Sequence, residues 1–222
     1  APFLRVYTFY YSRIIKYKCT DNAIIKDMHN LENKKMKILV FGAGAIGSLF
    51  AGLLAQAGND VTLIGRDAHV AAIKNKYLKI EGAVNTAIKL DAHVTVKQSF
   101  KPDLIIITTK SYDTEKAMQD CKPLLRSETR VLSLQNGLGN EGIIAKYCAH
   151  VIGGVTNNGA VYGEAGRIIY TAPNLTKIGN YEQKNDAFVL EIAKKFQHAG
   201  LNTVVSEDIK KDIFTKLVIN GG

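Results

Sequence analysis

The 222-residue sequence predicts an α/β fold: a doubly wound, mostly parallel sheet. Three observations carry that expectation. Short apolar runs rich in β-formers recur at residues 38–41, 61–64, 104–108, 131–134 and 151–155, with stretches of helical composition between them. The run at 104–108 is almost continuously apolar, as strands are when both faces of a parallel sheet are covered. Strands alternating with helices imply right-handed crossovers and an open sheet, whose ligands bind beyond the carboxyl ends of the strands.

The opening elements are the most explicit. Residues 36–66, MKILVFGAGAIGSLFAGLLAQAGNDVTLIGR, read as a strand, a glycine turn, a helix over 48–57 and a second strand. The turn Gly42-Ala43-Gly44-Ala45-Ile46-Gly47 has the spacing G-x-G-x-x-G. Gly42 permits the tight turn, Gly44 lets the backbone approach a pyrophosphate, and Gly47 lets helix and strand pack closely. Free N–H groups and the dipole at the helix start favour phosphate charge. These features predict a dinucleotide-binding, Rossmann-like domain. Where an NAD site carries Asp or Glu, at the end of the second strand, this chain has Gly65-Arg66. A guanidinium can pair with a 2′-phosphate, so the expected cofactor is NADP(H). The plainer alternative makes Arg66 a solvated loop residue and Asp67 a helix cap.

Further along, residues 67–76 read as a helix with Val70 and Ile73 inward, and 77–96 as short β-rich pieces. The strand at 104–108 delivers Thr109-Lys110-Ser111, followed by a helix over 113–121. The strand at 131–134 ends in Gln135-Asn136-Gly137, followed by a helix over 139–147. The strand at 151–155 ends in Thr156-Asn157-Asn158-Gly159-Ala160. Lys110, Asn136 and residues 158–160 therefore share the rim of the glycine turn, although Lys110 also reads as an ordinary solvated lysine. Residues 163–178 are expected to form hairpin strands extending the sheet. Residues 185–198 read as an amphipathic helix with Phe188, Ile192, Ala193 and Phe196 inward, and 201–205 as a last strand. His198 reads as a helix-end residue beside the dipole.

The last element spans 208–220, with Ser206 as the expected N-cap and Ile209, Ile213, Leu217 and Val218 as its apolar face. Lys216 and Asn220, four residues apart, share a helical face. An ammonium can protonate a carbonyl oxygen while a neighbouring amide orients the substrate; any surface helix can also show such a pair.

Composition narrows the classes. The net charge of +9 comes from 29 Lys/Arg against 20 Asp/Glu. Residues 1–35 hold seven against three and 36–222 hold 22 against 17, so the body is mildly basic, suited to an anionic cofactor and substrate. No Lys/Arg stripe with interleaved aromatics marks a nucleic-acid surface. No apolar run approaches the ~18 residues of a membrane helix. Cys19, Cys121 and Cys148 cannot all pair internally and form no C-x-x-C, which points to reduced thiols in a cytoplasmic protein. No metal site is expected. Residues 1–35 show no clean period and are expected to be an ill-ordered or non-native extension, with the folded part beginning at Met36 or shortly before it.

Assembled in order, MKILVFGAGAIGSLFAGLLAQAG, TTKSYD, LQNGLGN, GGVTNNGA and FTKLVIN make residues 36–222 resemble the ketopantoate reductase family. The resemblance implies an NADP-binding domain over 36–205 and, over 206–222, the first helix of a carboxyl-terminal helical domain that bears a dimer surface in many members. It implies that residues 42–47 hold the pyrophosphate and Arg66 the 2′-phosphate. Lys110 and Asn136 would line the nicotinamide-ribose end, with Ala160 at its border. Lys216 would be the general acid, and Asn220, with Asn136, would bind the 2-keto acid. The implied reaction is NADPH-dependent reduction of ketopantoate to pantoate, on the route to coenzyme A. A related hydroxyacid dehydrogenase and a non-catalytic NADP-binding module are the alternatives. These 222 residues alone would turn over poorly or not at all. Asn157-Asn158 replaces a more usual Thr-His, from which only a tuning of the rim is expected.

Overall fold

The computed structural model describes residues 35–221; the expectations for the amino-terminal extension and for Cys19 otherwise lie outside them. The first half runs β1 (Lys37–Phe41), α1 (Ala45–Gln56), β2 (Asp60–Ile64), α2 (Asp67–Asn75), β3 (Leu78–Gly82), β4 (Thr86–Ile88), β5 (Asp91–His93), β6 (Leu104–Ile107) and α3 (Thr114–Cys121). The second half runs β7 (Arg130–Ser133), α4 (Asn140–Ile144), β8 (Val151–Thr156), β9 (Gly159–Glu164), β10 (Arg167–Ala172), β11 (Thr176–Asn180), α5 (Ala187–His198), β12 (Thr203–Val205) and α6 (Ile209–Gly221).

Eight strands form the main sheet in the order β12-β11-β8-β7-β6-β1-β2-β5. From β5 to β8 every neighbouring pair is parallel. That is the doubly wound order, with its switch point between β1 and β6. Period-two alternation distributes the core. Ile38 and Val40 of β1 and Leu104 and Ile106 of β6 join the layer under α1 and α5, where Phe50 and Phe196 meet edge to face at 5.4 Å. Leu39, Ile105 and Ile107 face the other way, onto Ala117, Met118 and Cys121 of α3. Cys121 and Cys148 are buried free thiols, and burial pushes the Cys121 thiol up to about 12. Among the described residues no helix is long and apolar enough to cross a membrane.

The structure corrects one expected element. Residues 163–178 do not all extend the sheet. β9 and β10 pair antiparallel and join β3 and β4 in a separate four-stranded sheet, order β4-β3-β10-β9, while β11 alone extends the main one, antiparallel to β8. This second sheet covers the outer side of α1, and a Cβ at Gly52 would lie 2.9 Å from Ile80 and 3.0 Å from Leu78. Residues 47–54 of α1 are consequently all buried. The helix was written for that position, since small and apolar residues surround it on every side.

Helix ends shift for local reasons. α4 stops at Ile144 because the N–H groups of Lys146 and Tyr147 bond to carbonyls three residues back, tightening the last turn. α5 starts after Asp186, whose carboxylate accepts from the N–H groups of Phe188 and Val189. Asp208, not Ser206, caps α6. Its Oδ1 accepts from the Lys211 N–H, while Ser206 Oγ accepts from Asp208 N one turn earlier. Of the expected α6 face, Ile209 and Ile213 are buried on Val155, whereas Leu217 and Val218 are exposed. Asp67 makes no cap bond; it is the first residue of α2, and Arg66 occupies the N-cap position with extended backbone.

Candidate functional site

The rim begins where β1 meets α1. Gly42 has φ +116°, and a Cβ there would press into the Thr108–Thr109 backbone at 2.8–2.9 Å. At Gly47 a Cβ would lie 1.9 Å from the Gly42 carbonyl oxygen and 2.4 Å from Thr108 Oγ1. The hydroxyl of Thr108 donates to the carbonyls of Phe41 (3.2 Å) and Gly42 (2.7 Å), tying the turn to the end of β6. Gly44 differs: a Cβ there would meet nothing within 4 Å. It is the N-cap of α1, with no side-chain cap bond and no acidic residue in the first turn, so no capping side chain occupies the start of that helix. Residues 42–47 thus form a cradle whose geometry and partial positive charge suit a diphosphate.

Arg66 follows at the end of β2. A Cβ at Gly65 would lie 2.3 Å from that of Ala43, so the two turns touch. Arg66 is exposed; its carbonyl accepts from the Val70 N–H at 3.0 Å, while its guanidinium makes no hydrogen bond or ion pair among the described residues. Sequence reasoning passed over His69, one turn on. It is buried, its Nδ1 accepts from the Gly166 N–H (3.0 Å), and its Nε2 lies 3.0 Å from Ser48 Oγ. His69 therefore locks α2 to α1 and to the second sheet, and burial lowers its pKa.

The other end of the rim is built from three strand ends. Gln135, buried after β7, donates through Nε2 to Thr109 O (3.0 Å) and Thr114 Oγ1 (2.8 Å), stitching the β6 loop to the β7 loop. Ser111 Oγ donates to Asn136 O at 2.7 Å. The exposed side chains of Lys110 and Asn136 sit on loops held by these bonds. α6 crosses β8 and β11 on a floor of paired glycines: Gly153 and Gly179 are opposed, and a Cβ on either would lie 3.0–3.1 Å from Ile213 or Ile209. Lys177 of β11 holds the helix through Asp212 at 2.6 Å.

This approach brings Lys216 inward. Its ammonium donates to Asn136 Oδ1 (3.0 Å) and to the carbonyl of Thr156 (2.6 Å). Half-buried, Lys216 is held below the ordinary lysine pKa by desolvation. Lys216, Asn136, Gln135 and Val155 line a shallow cleft of about 80 Å³. Among the predicted site residues, Lys216 and Asn136, 80 positions apart, are brought into direct contact. Ala160 lies apart from that contact, in β9, half-buried against the core layer around α1. Asn220 lies in the last turn of α6, and its side chain falls outside the described residues. His198 is exposed at the end of α5, as a helix-end residue should be. Among the described residues no group of His, Cys, Asp and Glu could hold a metal. Thr108 and Gln135 went unnoticed as anchors because their role lies in bonds across strands, which spacing alone does not reveal.

The fold and this rim define a Rossmann-like, doubly wound α/β domain with its glycine turn at the switch point of the sheet. The model of the ketopantoate reductase PanE/ApbA family matches residues 38–183, and the chain belongs to that family. It is 46% identical over 185 residues to the 2-dehydropantoate 2-reductase of Pyrococcus abyssi, and 47% over 185 residues to that of Pyrococcus horikoshii. Each match covers 83% of this chain and 61% of the relative, so the chain spans about three-fifths of those proteins' length. Among solved structures, a ternary complex of D-mandelate dehydrogenase with NADH and anilino(oxo)acetate superposes with a TM-score of 0.78 at 34% identity, covering 84% of this chain and 62% of that one. The 2-dehydropantoate 2-reductase of Geobacter metallireducens superposes with a TM-score of 0.77 at 28% identity, covering 82% and 62%.

Proposed function

We propose that the protein reduces ketopantoate to pantoate with NADPH, and that Lys216 is the proton donor. One observation supports this above the others: an ammonium with lowered pKa, on a helix laid across β8, touching the Asn136 side chain at 3.0 Å just beyond the carboxyl end of β7. When bound, the dihydronicotinamide supplies hydride to the ketone carbon. The chain's own residues do the rest. The N–H groups of residues 44–47 and Arg66 bind the phosphates, and Gly44 leaves room for them. Lys110 and Asn136 line the nicotinamide-ribose end, with Ala160 at its edge. Lys216 donates its proton to the keto oxygen as negative charge grows there, which is where an ammonium stabilises most. Asn136 and Asn220 orient the substrate within transfer distance.

The cleft of about 80 Å³ is a floor rather than an enclosure, since small-molecule sites run to ~300 Å³ or more. On this reading residues 36–205 are the NADP-binding domain and 206–222 open a helical domain that completes the wall and carries a homodimer surface. The exposure of Phe214, Val218 and Ile219 on α6 supports that. A cytoplasmic location belongs to the same reading.

A second reading, another 2-keto acid with NADH, is favoured by the D-mandelate dehydrogenase complex, whose sequence is 34% identical. Steady-state assay of the full-length polypeptide separates the two. The proposal requires a higher kcat/KM for ketopantoate with NADPH than for an aryl 2-keto acid with NADH, and the reverse order overturns it.

A further inference from the structure

The carboxyl end of β8 holds a buried polar cluster centred on one amide. Asn158 is 7% exposed. Its Nδ2 donates to Thr156 Oγ1 (2.9 Å) and Thr176 Oγ1 (3.0 Å). Its Oδ1 accepts from the Tyr170 hydroxyl (2.6 Å) and the Asn174 N–H (2.9 Å). Two donors and two lone pairs are all in use, and the amide cannot be turned over, because the Asn174 N–H can only donate. The cluster therefore joins β8, β10, β11 and the turn before β11 in one orientation.

The neighbouring peptide is the one that meets Lys216. The Asn157 N–H donates to Leu175 O at 3.0 Å. A trans peptide points its carbonyl opposite to its N–H, so the Thr156 carbonyl is aimed away from β11's lead-in and towards α6, where it accepts from Lys216 Nζ at 2.6 Å. Thr156 is held on its side-chain end by Asn158 and by Thr176 Oγ1 at 2.9 Å. Without the amide, two hydroxyls lose a shared donor, and Thr156 Oγ1 is left with the Thr176 hydroxyl (2.9 Å) and the longer bond from the Asn158 N–H (3.3 Å).

We propose that Asn158 is a positioning residue for Lys216: its hydrogen bonds hold the Thr156–Asn157 peptide so that the Thr156 carbonyl keeps the ammonium beside Asn136. This rests on the reading of Lys216 as proton donor. A purely structural plug between strands would cost stability without any special link to Lys216.

A double-mutant cycle in the full-length polypeptide tests it, with turnover of ketopantoate and NADPH, NADPH affinity by fluorescence, and thermal melting measured on each variant. Asn158→Ala is expected to lower kcat about tenfold with NADPH affinity changed by less than about twofold. In a Lys216→Ala background it is expected to cost nothing more, the non-additive result of residues acting through one group. An unchanged kcat in Asn158→Ala overturns the proposal, as do losses that multiply in the double variant. Lys216→Ala with intact turnover would remove the proton-donor reading and this proposal together, and the single variants tell these failures apart. Should Asn158→Ala not fold, Tyr170→Phe and Thr176→Val, each removing one hydroxyl of the cluster, carry the same cycle under the same criteria.

Discussion

The two ends of the rim are built on opposite principles. The glycine-turn end is made from one contiguous stretch, residues 42–66, in which each special residue serves the next: Gly47 abuts the Gly42 carbonyl and Gly65 abuts Ala43. The Lys216 end is made from pieces far apart in the chain. Asn136, Thr156 and Lys216 meet only because β7, β8 and α6 are stacked by the sheet. The first end is held chiefly by backbone shape, with the Thr108 hydroxyl tying it to β6, and its failures should be steric. The second is held by side-chain hydrogen bonds across elements, and its failures should be kinetic.

The largest expected contrast comes from Lys216→Ala. Turnover by the full-length polypeptide should fall by ~10²–10⁴, with NADPH affinity nearly unchanged; an equal loss of affinity would erase the division between the ends. On the proposed reading, the same group dictates the pH response. Lys216 donates only while protonated, so kcat should be level at lower pH and fall as pH rises through a pKa below the ordinary lysine value.

Next in size is a pair of glycine substitutions. Gly47→Ala would place a Cβ 1.9 Å from a backbone carbonyl, and overpacking of that kind costs about 1–3 kcal/mol. A lowered melting temperature with lost NADPH binding is expected. Gly44→Ala meets no atom within 4 Å. It should melt like the parent yet bind NADPH about tenfold more weakly, near 1.4 kcal/mol. Identical melting of both variants would show that the two glycines do not divide their roles.

Arg66→Ala should weaken NADPH by about tenfold and NADH hardly at all, since only NADPH offers the 2′-phosphate. Equal losses would break the assignment.

The smallest effect belongs to Asp212. Burial by itself would raise its pKa, but bonds from Lys177 and Ser206 outweigh this and leave the carboxyl below the usual aspartate range. A depressed pKa contributes stability above the unfolded value, lost as pH falls through the folded one. Partly exposed, the Lys177–Asp212 pair is worth no more than about 1 kcal/mol. Asp212→Asn should therefore lower the melting temperature slightly at neutral pH and not at all in strong acid.

Local sequence determined the parallel strands, the glycine turn and the place of Arg66 after β2, because each rests on neighbours a few residues away. The pairing of β9 and β10 with β3 was not legible. Strand pairing depends on which edges meet in space, and alternation of apolar residues shows only that a strand exists. The cap of α6 was misplaced by two residues for the same kind of reason, since Ser206 and Asp208 are both good caps and the direction of the chain after β12 chooses between them. Asn158 was read as a rim residue and proves to be buried, because its four partners lie on β8, β10, β11 and the loop between the last two. By itself, then, the sequence determined the glycine-turn end, whose shape is written in consecutive backbone. Only the tertiary structure decided where the Lys216 ammonium points, because that orientation comes from hydrogen bonds spanning 60 and 80 positions, which no local propensity encodes.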